Sequence, residues 1–217
     1  MALGDLLASG RDADVFAVEV GRVLRRYRDG SDVTVEAALM RYLSSCGYPV
    51  PAVYDAHGAD VVMERIDGPT MLQALFARDI TEQAAGEVLA DLHNKLHRLA
   101  ARTSLDTAAR VLHLDLHPDN VLLGSKGPVV IDWRNATEGS PDLDVALSAV
   151  IVAQTAVCDR RRIASARALL AAFLDNAEAE PSRMLDRALA IRGGDPNLTA
   201  CEVDQLTSAG ALVREYV

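Results

Sequence analysis

The stretch HLDLHPDN, residues 113–120, concentrates two histidines, two aspartates, a proline and an asparagine between apolar segments. Val111 and Leu112 precede it, and the run VLL (121–123) follows it. Polar side chains gathered between hydrophobic strands indicate a loop with a specific role. Three interpretations fit: a metal site, a loop that moves a proton, or polar groups that satisfy the backbone at a buried turn.

The metal interpretation depends on the loop being a strand. Alternate residues of a strand share a face, so His113, Asp115 and His117 would present nitrogen, oxygen and nitrogen ligands for zinc or iron. Pro118 breaks a strand at this point, and the remaining histidines lack metal spacing. A metalloenzyme is therefore the least favoured alternative.

The proton-transfer interpretation is that of phosphoryl transfer. This reaction needs a carboxylate that accepts the proton of an attacking hydroxyl, and oxygen ligands for magnesium over the nucleotide phosphates. Asp115 supplies the base, and Asn120 supplies one ligand five residues later. Asp132, which closes the predicted strand PVVID (128–132), supplies a second ligand. The combination of these three residues is a specific signal for phosphoryl transfer, although each residue alone would be a weak one.

Composition excludes several classes of protein. The chain has 217 residues and a net charge of −9, so it lacks the basic character of a general nucleic-acid binder. No apolar run approaches the ~18 residues of a membrane span, and the N-terminus does not resemble a signal peptide. The three cysteines are widely spaced, which favours reduced thiols and a cytoplasmic location.

The order of the predicted elements is strands around one helix, followed by helices around one small hairpin. The first part contains a hairpin turning at Gly21, a helix capped by Ser31 and a strand at 59–66. The second part contains helices at about 81–99, 142–157, 160–176 and 182–192, a final helix capped by Thr199, and strands at 121–123 and 128–132. This is an α+β pattern, with a β-rich N-lobe at 1–67 and a mainly helical C-lobe at 68–217.

The quoted residues resemble a known family. HLDLHPDNVLL followed by VVIDW is similar to the catalytic and metal-binding segments of the aminoglycoside phosphotransferase-like kinases, which are small-molecule kinases with the protein-kinase fold. DLDVAL (142–147) resembles the start of the buried helix beneath their site. The resemblance covers nearly the whole chain and implies a two-lobed, protein-kinase-like fold.

The resemblance also implies roles for the loop residues. Asp115 would be the catalytic base, and His113 would support the loop. Asn120 and Asp132 would bind Mg²⁺, and Asp144 would anchor the loop backbone from below. The role of His117 is left undecided: it is either a structural histidine near the turn or a substrate contact. His93 and His97, on the preceding apolar helix, are interpreted as structural.

Nucleotide contacts follow from the same resemblance. VLR (23–25) is similar to the strand whose basic residue holds the α- and β-phosphates, which favours Arg25. Arg26 is the alternative, because neighbouring strand residues point to opposite faces. Glu36 on the first helix would pair with this arginine. An arginine in place of lysine keeps the charge but changes the geometry.

Two further segments resemble nucleotide-binding parts of the family. VMERIDG (62–68) is similar to the hinge segment of the family, which contacts the nucleotide base. Met63 would face the adenine, and the Glu64 carbonyl and the Ile66 amide would form hydrogen bonds with it. The predicted phosphate loop, SGRDADVF (9–16), contains Gly10 as its one glycine. Glycine-rich loops let backbone amides approach phosphates, so this loop departs from the pattern.

The function implied is transfer of the γ-phosphate of ATP or GTP to a hydroxyl of a small molecule, with Mg²⁺. The segment 133–143 is too short for a peptide-docking activation segment, which favours a small substrate. Aminoglycoside-like, other cationic and sugar acceptors stay open, as does the oligomeric state. Seven acidic residues of the later helices have two possible interpretations: they bind a cationic substrate, or they lie on solvated helix faces. These residues are Asp175, Glu178, Glu180, Asp186, Asp195, Glu202 and Asp204. The alternative of another class is a pseudokinase that binds a nucleotide or metabolite without turnover.

Overall fold

The computed structural model describes residues 3–158, 162–196 and 198–217. The described residues divide into two compact units. The first is made of Met1–Pro69 with Leu122–Arg134, and the second of Thr70–Val121 with Asn135–Val217. Residues 122–134, assigned to the C-lobe from the sequence, thus group with the first unit, and the roles of the two lobes stay a prediction.

An antiparallel five-stranded sheet forms most of the first unit, in the order β1-β2-β3-β5-β4. Its strands are β1 (Leu6–Ser9), β2 (Ala13–Glu19), β3 (Arg22–Tyr27), β4 (Val53–His57) and β5 (Asp60–Glu64). The predicted hairpin at Gly21 is confirmed, since this glycine has a φ of 73° and joins β2 to β3. Val61 of β5 and Tyr27 of β3 are buried in the core of the unit.

Helix α1 (Thr34–Ser45) lies where the sequence predicts it, but its N-cap residue is Val33, whose side chain makes no capping bond. The Asp32 side chain accepts from the Thr34 backbone N–H at 2.6 Å. Ser31 is therefore not the cap; its hydroxyl instead accepts from Arg134 at 3.3 Å. The helix ends before Gly47, whose φ of 77° is the left-handed conformation expected after a helix.

The predicted small hairpin is present as β7 (Val121–Gly124) and β8 (Gly127–Val130). Backbone bonds attach it to the rest of the first unit, from Leu123 to the Pro69 carbonyl and from Val130 to the Pro49 carbonyl, each at 2.9 Å. Strand β8 ends at Val130, so the expectation that Asp132 closes a strand is wrong. Asp132 adopts a left-handed turn conformation, with a φ of 67°.

Helices dominate the second unit. Its helices are α2 (Met71–Ala77), α3 (Glu82–Leu96), α4 (Pro141–Cys158), α5 (Ile163–Asn176), α6 (Leu185–Gly193), α7 (Ala200–Asp204) and α8 (Leu206–Arg214), with two short paired strands, β6 (Arg110–Leu112) and β9 (Thr137–Gly139). Thr81 caps α3 as predicted. Thr199 caps the short helix α7, whereas the final helix is α8, so the prediction that Thr199 caps the final helix is wrong. Helix α2 begins directly after the segment DGPT, with Thr70 as its cap, and the sequence interpretation missed it.

Helix α4 is the centre of the second unit. Residues on all its sides are buried, among them Val145, Leu147, Val150 and Ala153, which is typical of a helix surrounded by protein. Its polar residues Ser148 and Asp144 are also fully buried and bonded to histidines of the α3 region. The predicted α+β fold class is confirmed by the five-stranded sheet of one unit and the helices of the other.

His93 ties α3 to α4 and makes stability depend on pH. Its Nδ1 lies 2.8 Å from the Leu89 carbonyl and its Nε2 lies 2.9 Å from the Ser148 hydroxyl. Complete burial lowers the pKa of His93 from 6.5 to about 4. Between pH 6.5 and about pH 4, His93 is therefore protonated in the unfolded chain but neutral in the folded chain. The free energy of unfolding is thus highest above pH 6.5 and falls as the pH drops towards 4.

We expect the free energy of unfolding to decrease by about 2 kcal/mol between pH 7 and pH 5 through His93 alone. Urea denaturation of the parent chain and of His93→Gln at both pH values measures this contribution. The variant should be less stable at pH 7 but lose less stability on acidification. His57→Gln, at an exposed position, is the control and should keep the parent's pH slope. An unchanged slope in His93→Gln would mean that His93 is not the titrating group.

Candidate active site

The loop at 113–120 has a sharp, fixed backbone. Leu114 adopts a left-handed conformation with a φ of 63°, which is unfavourable for a residue of this type. Pro118–Asn120 then form a single 3₁₀ turn, capped by the His117 imidazole, whose Nδ1 accepts from the Asp119 backbone N–H at 3.3 Å. The two bends turn the loop back on itself, so residues 113–117 do not alternate along a strand.

Asp144 holds the strained part of the loop. Its Oδ1 accepts from the Leu114 backbone N–H at 2.7 Å, and its Oδ2 accepts from the His113 backbone N–H at 3.1 Å. Oδ2 also lies 2.9 Å from Nε2 of His97. Burial alone would raise the pKa of Asp144, but the His97 hydrogen bond and the charges of the nearby histidines hold it well below its usual range. The predicted anchoring of the loop by Asp144 is confirmed.

Asp115 presents a reachable carboxylate among donor groups. Its side chain is 25% exposed, and its Oδ1 lies 3.8 Å from Nε2 of His117. The Asn120 amide nitrogen donates to the Asp115 backbone carbonyl at 2.9 Å and approaches Oδ2 at 3.4 Å. The Asp115 backbone N–H donates to Nδ1 of the buried His113 at 3.3 Å. This arrangement orients the carboxylate and leaves it able to accept a proton from a bound molecule.

The geometry does not favour the alternative zinc site. Nδ1 of His113 accepts from the loop backbone and Nδ1 of His117 accepts from Asp119, so each imidazole has a structural bond inside the loop. In the described part of the chain, no group of three histidine, cysteine or acidic side chains is arranged to hold a metal ion. The strand on which the alternating ligand set depended does not form.

A second cluster lies in the first unit and is centred on Arg25. One guanidinium nitrogen lies 3.3 Å from Oε1 of Glu36, and another lies 2.5 Å from Oδ1 of Asp132. Arg25 and Glu36 are 12% and 9% exposed, whereas Asp132 is 40% exposed. The expected pairing of Glu36 with Arg25 is confirmed, and the bridge to Asp132 is an additional contact. Arg26 points to the other face and pairs with Asp60 at 2.6 Å.

Tyr27 completes the Arg25 cluster. Its hydroxyl donates to Oε2 of Glu36 at 2.8 Å, and its ring lies under the guanidinium groups of Arg25 and Arg134, at 4.8 Å and 4.7 Å. Burial raises the pKa of Tyr27, so the hydroxyl is a donor at neutral pH. Burial also raises the pKa of Glu36, which the charge of Arg25 opposes. Strand β3 therefore holds the Glu36 carboxylate through two side chains on one face.

The predicted phosphate loop is fixed by an arginine. Arg28 donates to the backbone carbonyls of Gly10 and Arg11 and to the Asp14 carboxylate. The Ser9 hydroxyl also donates to Asp14, at 2.6 Å. Side-chain bonds thus shape a turn in which the family uses glycines. The sequence analysis missed Arg28, although its basic side chain near this turn was a usable signal.

The predicted hinge residues lie at the end of β5. Met63 pairs with Val23 of β3 and with Val53 of β4. Glu64 is the last residue of the strand, and its backbone N–H donates to the Ala52 carbonyl at 2.8 Å. Ile66 follows in a half-buried position. The adenine contacts assigned to these residues stay predictions.

Most of the acidic residues considered for a cationic substrate have partners of their own. Four lie in ion pairs with arginines, and Glu202 belongs to a capping box with Thr199. The ion pairs are Glu178–Arg98, Glu180–Arg183, Asp186–Arg214 and Asp195–Arg192. These contacts favour the interpretation of solvated helix faces.

Comparison with known families identifies the class of protein. The model of the family described as "APH: Phosphotransferase enzyme family" matches residues 5–104 and 95–185. These matches span most of the chain, and the chain belongs to this family. The resemblance of HLDLHPDN and VVIDW to aminoglycoside phosphotransferase-like kinases is thereby confirmed. A search of curated proteins gives no match.

Solved structures agree with this fold. The ADP-bound aminoglycoside phosphotransferase APH(2'')-Ib is 16% identical, with a TM-score of 0.60 over 98% of this chain and 94% of that one. A choline/ethanolamine kinase family protein from Mesorhizobium loti is also 16% identical, with a TM-score of 0.62 over 98% and 88%. APH(4)-Ia in complex with AMP-PNP and hygromycin B is 18% identical, with a TM-score of 0.56 over 98% and 94%. At these identities, the likeness concerns the fold.

Within the described residues, every helix falls short of the length and apolar character needed to cross a bilayer.

Proposed function

We propose that this protein transfers the γ-phosphate of ATP or GTP to a hydroxyl group of a small molecule. The main support is the geometry of Asp115, whose carboxylate is partly exposed and whose backbone is held by Asn120 and His113 on a loop fixed from below by Asp144. Family membership supports the same reaction class. The solved relatives include aminoglycoside phosphotransferases and a choline/ethanolamine kinase family protein.

In the proposed reaction, Asp115 accepts the proton of the acceptor hydroxyl as its oxygen attacks the γ-phosphorus. The bond between the γ-phosphorus and the bridging oxygen breaks, and the nucleoside diphosphate leaves. His113 and Asn120 keep the carboxylate in place. Arg25 would contact the nucleotide phosphates, and Glu36 would hold Arg25 in position. Gly10, Met63, Glu64 and Ile66 keep the nucleotide-binding roles assigned from the sequence.

Each of the two residues assigned to magnesium carries the type of donor atom that this ion prefers. Asn120 and Asp132 offer an amide oxygen and a carboxylate, which are hard oxygen ligands of the kind magnesium prefers. The amide nitrogen of Asn120 is committed to the Asp115 carbonyl, so its oxygen is the atom available to a cation. Arg25 binds Asp132 through Oδ1, and the 40% exposure of the Asp132 side chain keeps its carboxylate accessible. Bound magnesium would neutralise the charge of the phosphate oxygens.

A substrate panel tests the proposal. Purified protein is incubated with ATP or GTP, magnesium and a series of aminoglycosides, amino alcohols, choline-like alcohols, sugars and alcohols bearing apolar rings. Gain of one phosphoryl group by an acceptor, read by mass spectrometry, is the expected result. Nucleotide binding without transfer to any acceptor would favour the pseudokinase alternative, which the single glycine of the phosphate loop supports.

Arg25 and Glu36 should behave as one unit. Because each neutralises the other in a largely buried position, Arg25→Ala and Glu36→Ala should each lower the free energy of unfolding by about 2 kcal/mol or more. The double variant should lose less than the sum of the two, with a coupling of about 0.5–3 kcal/mol. Urea denaturation measures stability, and the KM for nucleotide gives a second readout of the same coupling.

Arg26→Ala is the matched control for this pair. Its pair with Asp60 is partly exposed, so the change should alter stability by no more than about 0.5–1 kcal/mol. Additive losses in the Arg25 and Glu36 double variant would show that the two side chains do not support each other. Damage to nucleotide binding in Arg26→Ala, with Arg25→Ala unaffected, would reassign the phosphate contact to Arg26.

A further inference from the structure

A cavity of about 140 Å³ lies within the second unit, beside the loop that carries Asp115. Helix α2 lines one side with Leu72, Leu75 and Phe76. Helices α4 and α5 line the opposite side, with Ile151 and Leu169 among others. The cavity therefore brings together three helices that are distant in sequence and form no part of the predicted nucleotide site.

The cavity wall presents mainly apolar surface. The polar side chains around it already have partners: the Ser165 hydroxyl donates to Glu82 at 2.6 Å, and Asp119 accepts from the Thr70 hydroxyl at 2.9 Å. The guanidinium group of Arg162 lies 3.9 Å from the centre of the Phe76 ring. Among the described lining residues, Asp119 is the one carboxylate. This surface is unsuited to a polycation such as an amino sugar, which needs several unpaired acceptors.

The volume of the cavity indicates the size of the apolar group that it can hold. An apolar cavity of about 150 Å³ in another protein stays dry and binds benzene. The cavity described here has nearly this volume and a similar lining of leucine, isoleucine and phenylalanine. A single six-membered apolar ring therefore matches the volume of the cavity.

His117 connects the cavity to the proposed base. His117 lines the cavity, and its Nε2 lies 3.8 Å from Oδ1 of Asp115. Asp115 itself is not among the lining residues, so His117 is the lining residue that adjoins the carboxylate. A hydroxyl on a short side chain of such a ring could approach Asp115.

We propose that this cavity binds the apolar ring of the acceptor substrate, and that the acceptor is an alcohol whose hydroxyl is carried on a short chain from one benzene-sized ring. The inference rests on the proposed kinase function and narrows its substrate class. It gives His117 a role as a wall of the acceptor site. It also agrees with the ion pairs that four acidic residues of the later helices form with arginines, because this acceptor needs no cation-binding carboxylates.

Binding of 2-phenylethanol to the full chain, without nucleotide, tests the cavity directly. Ala166 is buried in the cavity wall on α5, and Ala166→Leu adds three carbon atoms there. Ala168→Leu is the matched control, since it makes the same exchange at an exposed position of the same helix. We expect the control to bind like the parent and Ala166→Leu to bind at least about tenfold more weakly. Ethanol and choline at the same concentration should not compete.

A second cavity variant keeps the test independent of the folding of the first. Ile151→Trp fills the cavity from α4, where the position is half-buried, and circular dichroism confirms that each variant is folded. Equal binding of 2-phenylethanol to the parent and to both folded cavity variants would overturn the proposal, as would absence of binding to the parent at millimolar concentration.

Phosphoryl transfer separates failure of this inference from failure of the proposed function. With ATP and magnesium, Ala166→Leu should lower kcat/KM for 2-phenylethanol at least about tenfold and Ala168→Leu should leave it unchanged. Transfer to sugars or amino alcohols but not to ring-bearing alcohols would overturn the acceptor assignment and leave the kinase function standing. Ring binding in the cavity with no transfer to any acceptor would overturn the kinase function, and with it the acceptor role.

Discussion

Asp115→Asn should lower turnover by about 10²–10⁴-fold while leaving the free energy of unfolding and the affinity for nucleotide nearly unchanged. Asparagine has almost the shape of aspartate but cannot accept the proton of the acceptor hydroxyl. The anchors of the loop do not depend on the Asp115 carboxylate, because Asn120 bonds to its backbone carbonyl and Asp144 bonds to the backbone of residues 113 and 114. Steady-state kinetics and calorimetric titration of nucleotide with magnesium measure the two effects separately.

Two other variants show whether the effect belongs to Asp115. Asp132→Asn removes a charged ligand assigned to magnesium, so it should weaken binding of magnesium and nucleotide as well as turnover. Asp119→Asn changes the same residue type in the same loop at an exposed position, where Thr70 can still donate to the amide oxygen, and should lower turnover by only a few-fold. Full activity in Asp115→Asn would remove Asp115 as the base. Unfolding of that variant would make the loop structural.

Local patterns predicted much of the fold and the main features of the loop. The hairpin at Gly21, the capped helix after Thr81 and the paired strands after Asn120 each follow from neighbouring residues in the sequence, and the structure has all three. The anchoring by Asp144 was predicted from the resemblance to the aminoglycoside phosphotransferase-like kinases. Its donors, His113 and Leu114, are thirty residues away, which no local pattern reports.

Other features depend on long-range packing or on local backbone detail. The bond between Arg25 and Asp132 joins residues 107 positions apart, so strand periodicity indicates the face of Arg25 but not its second partner. Helix α2 was missed because the proline and glycine before Thr70 are strong turn signals, and seven helical residues carry little periodicity. The cavity is formed where α2, α4 and α5 converge, and its volume cannot be inferred from the sequence of any one helix.

Asp144→Ala should have the largest effect on stability of the changes considered. The carboxylate is fully buried and accepts from two backbone N–H groups and from His97. Removal leaves these donors without their acceptor in a site that excludes water, and we expect the free energy of unfolding to fall by about 3–5 kcal/mol. The left-handed conformation of Leu114 also loses the contact that compensates its strain.

Asp142→Ala is the matched control for Asp144→Ala. Asp142 lies in the same first turn of α4, but its side chain is 17% exposed and accepts from the Glu180 backbone N–H at 2.9 Å on the surface. Its replacement should lower the free energy of unfolding by only about 1 kcal/mol. Urea denaturation at pH 7 compares the two, and hydrogen exchange of the Leu114 amide reports on the loop itself. That amide should exchange much faster in Asp144→Ala and unchanged in Asp142→Ala.

The pH dependence of the parent chain gives an independent measure of Asp144. Because its pKa in the folded chain lies below its usual value of 3.8, the folded state favours the carboxylate. The stability that this provides is fully present above pH 3.8 and is lost as the pH falls through the folded pKa. Asp144→Ala should therefore show a flatter decline in stability below pH 4 than the parent. If the variant lost no more stability than Asp142→Ala and kept the parent's acid slope, Asp144 would not be the anchor of the loop, and the orientation of Asp115 would depend on His113 and Asn120 alone.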